Sequence, residues 1–296
     1  MPRGLTRRAL LGLAGAGTLA GCASPAPEPT PGTPSPVRHR YGSAGPLYGD
    51  LYRPAGRPLA TVVVIHGGFW LADYALDLGA ATSADLAQRG YAAWNIEYRR
   101  LGNGGGWATT FADVAAAVDH VARLGLDPHR VLLLGHSAGG QLAAWAATRG
   151  HAPRPPGVSA SPAVTVGGVV SQAGVLDLRT AALTQVGGDV VPQLLGGAPA
   201  QVPQRYAAAD PTERAALAVA AGVPVRCLVG DQDDIVPAGQ SNAYVAAARS
   251  AGATHAQAAV VRVPGDHFAL IDPSTPAWTT ILHELTDLVG GLVALR

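Results

Sequence analysis

Two patterns of apolar residues divide most of the chain. Leu59-Ala60-Thr61-Val62-Val63-Val64-Ile65 and Val131-Leu132-Leu133-Leu134 are apolar at nearly every position. A strand with one wet face would alternate, so these runs predict strands covered on both faces. Tyr91 to Glu97, Val166 to Ser171, Val225 to Val229 and Ala258 to Val263 also read as strands, and Leu47 to Arg53 alternates up to Pro54. Between them the apolar spacing is helical: Asp73 to Gln88 (stopped by Gly90), Phe111 to Leu124, Leu142 to about Thr148, Ala243 to Arg249 and Trp278 to Leu295. Strand and helix in alternation imply an α/β fold, a mostly parallel central sheet with helices on both faces. Residues 177–222 depart from the pattern. Gly187-Gly188, Pro192, Gly196-Gly197, Pro199, Pro203 and Pro211 forbid one long helix there. Short helices forming a cap or lid over the sheet are expected instead.

The front of the chain follows neither pattern. Arg3, Arg7 and Arg8 precede an apolar run from Ala9 to Ala20, too short to span about 30 Å of hydrocarbon. Residues 1–22 are read as an export signal. Thr6-Arg7-Arg8-Ala9-Leu10-Leu11 resembles a twin-arginine (Tat) signal, and Leu19-Ala20-Gly21-Cys22 resembles a bacterial lipobox. The resemblance implies that Cys22 is lipidated and holds an exported lipoprotein on the bacterial membrane surface. An ordinary signal peptide and a secreted product are the alternative. Residues 23–37 are proline-rich and read as an extended linker. The globular domain is expected over residues 38–296.

Composition removes several kinds of chemistry. Formal net charge is +1 with no basic stripe, so no nucleic-acid partner is expected. The chain has no lysine, which excludes Schiff-base catalysis and a P-loop. Two cysteines cannot build a disulfide framework or a cysteine-rich zinc site. No H-E-x-x-H spacing occurs, so no metal site is expected. The glycine loop from Gly135 to Gly140 carries Ser137 where a dinucleotide fingerprint needs its middle glycine, so no nucleotide cofactor is expected either.

The same loop is informative in another way. Val131 to Leu134 leads into Gly135-His136-Ser137-Ala138-Gly139 and then a helix. A serine on a sharp strand-to-helix turn has an exposed hydroxyl, and the N-terminus of the next helix aims partial positive charge at it. Side chains at Gly135 and Gly139 would clash across such a bend. The hydroxyl needs a base, and the base needs a group to orient it. His267 follows the last predicted strand. Asp231, Asp233 and Asp234 all follow the strand Val225 to Val229.

From about Leu59 to Leu295 these features resemble the α/β-hydrolase superfamily, in which the triad follows the order Ser, Asp or Glu, His. His66-Gly67-Gly68-Phe69-Trp70, Gly135-His136-Ser137-Ala138-Gly139-Gly140-Gln141-Leu142 and Ala173-Gly174-Val175-Leu176-Asp177-Leu178 look like bacterial feruloyl-esterase-like enzymes, kynurenine formamidases and prolyl oligopeptidase-like catalytic domains. The resemblance implies Ser137 as nucleophile and His267 as general base. The family's G-x-x-D-x-x-V-P loop selects Asp233 over Asp231 and Asp234. The HGG-type segment implies an oxyanion hole of the Gly68, Phe69 and Ala138 amides, with His66 holding the loop. The implied reaction is hydrolysis of a small carboxylic ester through an acyl-enzyme, without cofactor. An amide-directed hydrolase (arylformamidase or peptidase-like) and a non-catalytic binding lipoprotein are the alternatives. Phe69, Trp70 and Phe268 are candidates for an aromatic acyl pocket or for core packing, residues 177–222 for setting specificity, and His136 is expected to point away from Ser137.

Overall fold

Apolar runs without alternation do become strands covered on both sides. In the computed structural model, which describes residues 34–43 and 45–294, β1 (Val37–Arg40), β2 (Tyr48–Tyr52), β3 (Thr61–Ile65), β4 (Ala92–Ile96), β5 (Val131–His136), β6 (Val166–Gln172), β7 (Val225–Gly230) and β8 (Ala258–Val263) form one sheet. Its order is β1-β2-β4-β3-β5-β6-β7-β8. β1 and β2 pair antiparallel, as do β2 and β4, and every other pairing is parallel. The export signal 1–22, the lipidation candidate Cys22 and the linker as far as residue 33 lie outside the described residues.

The two cores follow from the period of two along each strand. β3 sends Val63 and Ile65 into one core and Val62 and Val64 into the other. β5 divides Val131 and Leu133 from Leu132 and Leu134 in the same way. On the first face lie α2 (Thr109–Asp119), with Phe111, Val114 and Val118, and α3 (Ala138–Ala146), with Leu142 and Trp145. On the second lie α1 (Ala80–Gln88), with Leu86, and α9 (Pro276–Ala294). Trp278, Ile281, Leu285 and Leu288 recur at steps of three and four and form the buried stripe of α9. Each such side chain contributes about 1.5–3 kcal/mol by leaving water.

Three boundaries differ from the sequence expectation. The helix expected from Asp73 begins only as a 3-10 turn at Leu76–Gly79. Its start is tied to β4: the Leu76 amide donates to Glu97 Oε2 at 3.2 Å and Asn95 Nδ2 donates to the Leu76 carbonyl at 2.7 Å. β1 carried no apolar signal because its Val-Arg-His-Arg residues are largely exposed; it is an edge strand held by backbone pairing with β2 and by the Arg38–Asp50 ion pair at 2.8 Å. α8 (Gly239–Ser250) starts four residues earlier than its apolar spacing indicated.

Residues 177–222 do form short helices: α4 (Leu178–Leu183), α5 (Val190–Leu195), α6 (Pro203–Ala209) and α7 (Ala215–Ala220). They pack against the helix after Ser137. Gln141 Nε2 and Trp145 Nε1 donate to the carbonyls of Ala209 and Ala208 at 2.9 and 3.0 Å. Arg214, buried and without a carboxylate partner among the described residues, donates to the Thr148 Oγ1 and carbonyl just beyond the end of α3. Among the described residues no helix is long and apolar enough to cross a membrane.

Candidate active site

Ser137 connects β5 to α3 in a conformation that few residues adopt, φ 55° and ψ −119°. Its backbone is held on both sides: the amide donates to the Gln172 carbonyl at 2.8 Å, and its own carbonyl accepts from Gly140 at 2.9 Å. The flanking glycines are required by space. A Cβ at Gly135 would stand 2.1 Å from the Gly139 carbonyl oxygen, and one at Gly139 would stand 2.1 Å from that of Ile65. Local strain of this kind survives only where neighbours over-determine it.

The loops after β7 and β8 bring an acid to a histidine. His267 Nδ1 lies 2.8 Å from Asp233 Oδ2, with both side chains almost fully buried. Asp233 Oδ1 accepts the Ile235 and Val236 amides, each at 2.9 Å. Burial works to raise the Asp233 carboxyl, but the His267 hydrogen bond and those two amides outweigh it and hold it below the ordinary carboxylate range. The rival aspartates have other places. Asp231 Oδ1 accepts the Gly265 amide at 2.9 Å and so shapes the turn before His267, while Asp234 is exposed. Asp266 Oδ1 fixes the far side of that turn by accepting the Phe268 and Ala269 amides.

Ser137, His267, His136, Gly68 and Phe69 line one small cavity of about 90 Å³, with Tyr74, Leu78, Ile235 and Phe268 as its other walls. Wider depressions, of about 550 and 470 Å³, run along α9 and at the N-terminal ends of β3 and β5, and neither contains a serine. Ala138 is the first residue of α3, so its amide has no partner within the helix. Gly68, Phe69 and Trp70 run consecutively at positive φ, 102°, 50° and 56°. Two of those three are bulky residues in a region that favours glycine, so the loop that carries the Gly68 and Phe69 amides is under strain.

His66 was expected to hold that loop, but its partners were not read from the sequence. His66 Nδ1 lies 2.8 Å from the Gly67 carbonyl oxygen, and Nε2 lies 3.3 Å from Glu97 Oε1 and 3.0 Å from the Arg100 guanidinium. Arg100 is paired directly with Glu97 and also donates to the Tyr98 carbonyl at 2.8 Å. The Tyr98 hydroxyl donates to the His66 carbonyl at 2.8 Å, and its ring stacks on His66 at 4.5 Å. Burial alone would raise Glu97, but His66 and Arg100 bring its carboxyl down to about 2. A sequence signal did exist: Glu97 and Arg100 flank the end of a buried strand, where charge is rare unless paired.

Two expectations about neighbouring residues change. Trp70 is not a pocket wall; it is fully buried, with Nε1 donating to Gln141 Oε1 at 3.2 Å, while Phe69 and Phe268 do line the cavity. His136 shares the cavity with Ser137, and its Nε2 lies 3.0 Å from the His267 carbonyl oxygen. Its Nδ1 is buried without a partner. Burial, reinforced by the adjacent His267, pushes the His136 imidazole down to about 3, so it is neutral and donates through Nε2. No residue of 177–222 lines the cavity, and Gly187 of that segment packs against Phe69, one of its walls.

A family model described as BD-FAE matches residues 50–247. No curated protein matches the chain by sequence. Several solved structures share the fold at low identity. A truncated carbohydrate esterase from gut microbiota superposes with a TM-score of 0.70 at 22% identity, over 88% of this chain and 99% of that one. Esterase B from Lactobacillus rhamnosis gives 0.75 at 22%, over 91% and 89%. An esterase from the planctomycete Thermogutta terrifontis gives 0.67 at 21%, over 88% and 93%, and another structure of that enzyme has propionate bound. The mostly parallel, doubly covered sheet is thus an α/β-hydrolase fold.

Proposed function

The chain belongs to the BD-FAE family and is a carboxylic ester hydrolase, and from that premise we propose that it works through Ser137, His267 and Asp233. The observation that carries the reading is the buried Asp233–His267 pair opening into the same 90 Å³ cavity as a serine at positive φ. His267 uses Nδ1 on Asp233, so Nε2 is the nitrogen that serves Ser137. Ser137 Oγ attacks the ester carbonyl carbon as its proton passes to His267 Nε2. The carbonyl oxygen becomes an oxyanion that accepts hydrogen bonds from the Gly68, Phe69 and Ala138 amides. The C–O bond to the alcohol then breaks, and the imidazolium returns its proton to the departing oxygen. Water, deprotonated by the same imidazole, attacks the acyl carbon; the bond to Ser137 Oγ breaks, the imidazolium returns its proton to Oγ, and the acid leaves. Asp233 stays ionised throughout and stabilises the imidazolium.

Ser137→Ala tests this directly. It should lower kcat on an activated acetyl ester by about 10⁴- to 10⁶-fold with the fold unchanged by circular dichroism, and a fluorophosphonate probe should label the wild type at Ser137 alone. Retention of most activity ends the assignment. An N-formyl aryl amide assayed beside the ester distinguishes the amide-directed alternative, which requires the faster turnover to be on the amide.

We propose further that residues 1–22 export the chain and that Cys22 anchors it through a lipid. The support is the paired arginines, the short apolar run and the Leu-Ala-Gly-Cys sequence. Labelled palmitate should enter the wild type and not Cys22→Ala. Equal release of both proteins into the medium would favour a secreted enzyme.

A further inference from the structure

A formal net charge of +1 conceals a separation of charge between the two ends of the sheet. The loops that follow the parallel strands carry Ser137 and His267. Asp73 and Asp77 after β3, Asp231 and Asp234 after β7, and Asp266 and Asp272 after β8 are all exposed there. Residues 66–79, 231–238 and 264–275 contain no arginine. The loops that lead into the strands carry the opposite sign. Arg53 and Arg57 precede β3, Arg89 precedes β4 and Arg130 precedes β5.

These four arginines stand around one leucine. The Leu59 amide donates to the Gly90 carbonyl, next to Arg89, at 2.9 Å, and its own carbonyl accepts Arg130 Nε at 2.9 Å. Arg57, Leu59 and Arg130 line the depression of about 470 Å³, and Leu59 and Arg89 line that of about 550 Å³. Arg53 donates to the Leu124 carbonyl beside the first. A backbone carbonyl accepts such a bond without cancelling the charge. Two aspartates share this end: Asp85 is paired with Arg89 at 2.6 Å, and Asp127 lines the same depression as Arg57 and Arg130. Arg154, before β6, and Arg249, in the last turn of α8, extend the positive sign along it. Leu59, fixed through its backbone, is nevertheless 48% exposed.

The entry of the chain points the same way. β1 is antiparallel to β2 and β2 to β4, so β1 runs with the parallel strands and the chain comes into it from the arginine end. An exposed apolar side chain ringed by arginines suits a phospholipid surface, where guanidinium groups pair with phosphate and the leucine passes below them. A soluble polyanion would match the arginines but give Leu59 nothing to enter. An anionic surface also repels the six carboxylates of the opposite end, so both ends favour one orientation.

We propose that the Leu59 end of the domain docks on the anionic phospholipid headgroups of a membrane, so that the cavity around Ser137 opens away from the bilayer. This docking belongs to the folded domain and needs neither the triad nor the Cys22 lipid. The full chain carrying Cys22→Ala tests it, with Arg3, Arg7 and Arg8 changed to Gln so that the front of the chain adds no charge. It should co-sediment with phosphatidylglycerol-containing vesicles more tightly than with pure phosphatidylcholine, and lose that preference as salt is raised. Arg57→Gln should weaken binding to the anionic vesicles about fivefold and Arg57→Glu about 25-fold. Leu59→Ser should weaken it about 3- to 10-fold while leaving binding to inorganic polyphosphate unmoved. Arg262→Gln, at an exposed position of β8 away from the patch, should change it less than twofold. Every variant should keep its kcat/KM on a soluble activated ester. Vesicles bound without regard to charge, an Arg262→Gln loss as large as that of Arg57→Gln, or a Leu59→Ser variant that binds vesicles as before would overturn the proposal, the last in favour of a soluble polyanion. Palmitate labelling of the wild type decides the Cys22 anchor separately, and Ser137→Ala decides the triad, so neither failure is confused with this one.

Discussion

Two buried imidazole–carboxylate pairs lie on either side of Ser137, and they are built for different work. His66 and Glu97 stand 3.3 Å apart beneath the strained Gly68-Phe69 loop, and His267 and Asp233 stand 2.8 Å apart above the β7 and β8 ends. In the first pair both ring nitrogens are engaged, Nδ1 at the Gly67 carbonyl and Nε2 at Glu97 and Arg100. Arg100 supplies a permanent charge, and Tyr98 braces the His66 backbone. In the second, Asp233 takes Nδ1, and in the mechanism proposed above Nε2 is the nitrogen that serves Ser137. Among the described residues no arginine pairs with Asp233, whose remaining oxygen accepts two backbone amides. A saturated imidazole is a brace. A general base has to keep one nitrogen unspent, and burial alone does not distinguish the two.

The largest expected difference lies in the rings themselves. His267→Ala should lower kcat by about 10⁴- to 10⁶-fold. His66→Ala, by distorting one side of the oxyanion loop, should stay within about 10³-fold. Steady-state kinetics on one activated ester decides, and equal losses would erase the distinction. Next come the carboxylates. Asp233→Asn should cost about 10⁴-fold in kcat with little change in melting temperature, because the wrong tautomer of His267 is favoured. Glu97→Gln should do the reverse: a modest kinetic loss, and destabilisation of about 3–5 kcal/mol from a broken buried pair.

That stability difference has a pH signature. The Glu97 carboxyl is lower in the folded state, at about 2, than the ordinary glutamate value of 4.5. Its contribution is therefore fully present above about pH 4.5 and is lost as pH falls toward 2. Melting temperatures of wild type and Glu97→Gln should differ most near neutrality and converge in acid. A gap independent of pH would place the cost in packing instead. The smallest effect concerns His136. His136→Ala should lower kcat about tenfold at unchanged KM by releasing the His267 carbonyl, and His136→Gln, which keeps a donor, should recover most of it. Since His136 is held near 3, neither variant should remove a limb from the pH–rate profile between pH 5 and 9.

Several features were legible because they depend on neighbours in the chain. The β3 and β5 runs declared a sheet covered on both faces, since a period of two with every position apolar leaves no wet side. The glycines around Ser137 marked a turn too tight for side chains. Other features were illegible for an equally physical reason. Val37–Arg40 has no apolar pattern because it is held by backbone pairing and the Arg38–Asp50 ion pair, with its side chains largely exposed. Residues 177–222 read correctly as broken helices, but only tertiary packing shows that they lie against α3 and leave the cavity walls to other loops. Trp70 and Phe268, similar as aromatics beside motifs, end up fully buried and half-exposed.

The sequence by itself determined the kind of chain this is: the parallel sheet, the serine turn, the acid loop and the histidine turn, each written in local spacing and in residues that tolerate only one backbone geometry. Tertiary structure decided which partners meet. His66 with Glu97 and Arg100, His267 with Asp233, and His136 with the His267 carbonyl join strand ends between 31 and 131 residues apart. Whether an imidazole braces a loop or stands ready to take a proton depends on how many of its nitrogens those distant neighbours occupy, and that is set by folding and not by any local run of residues.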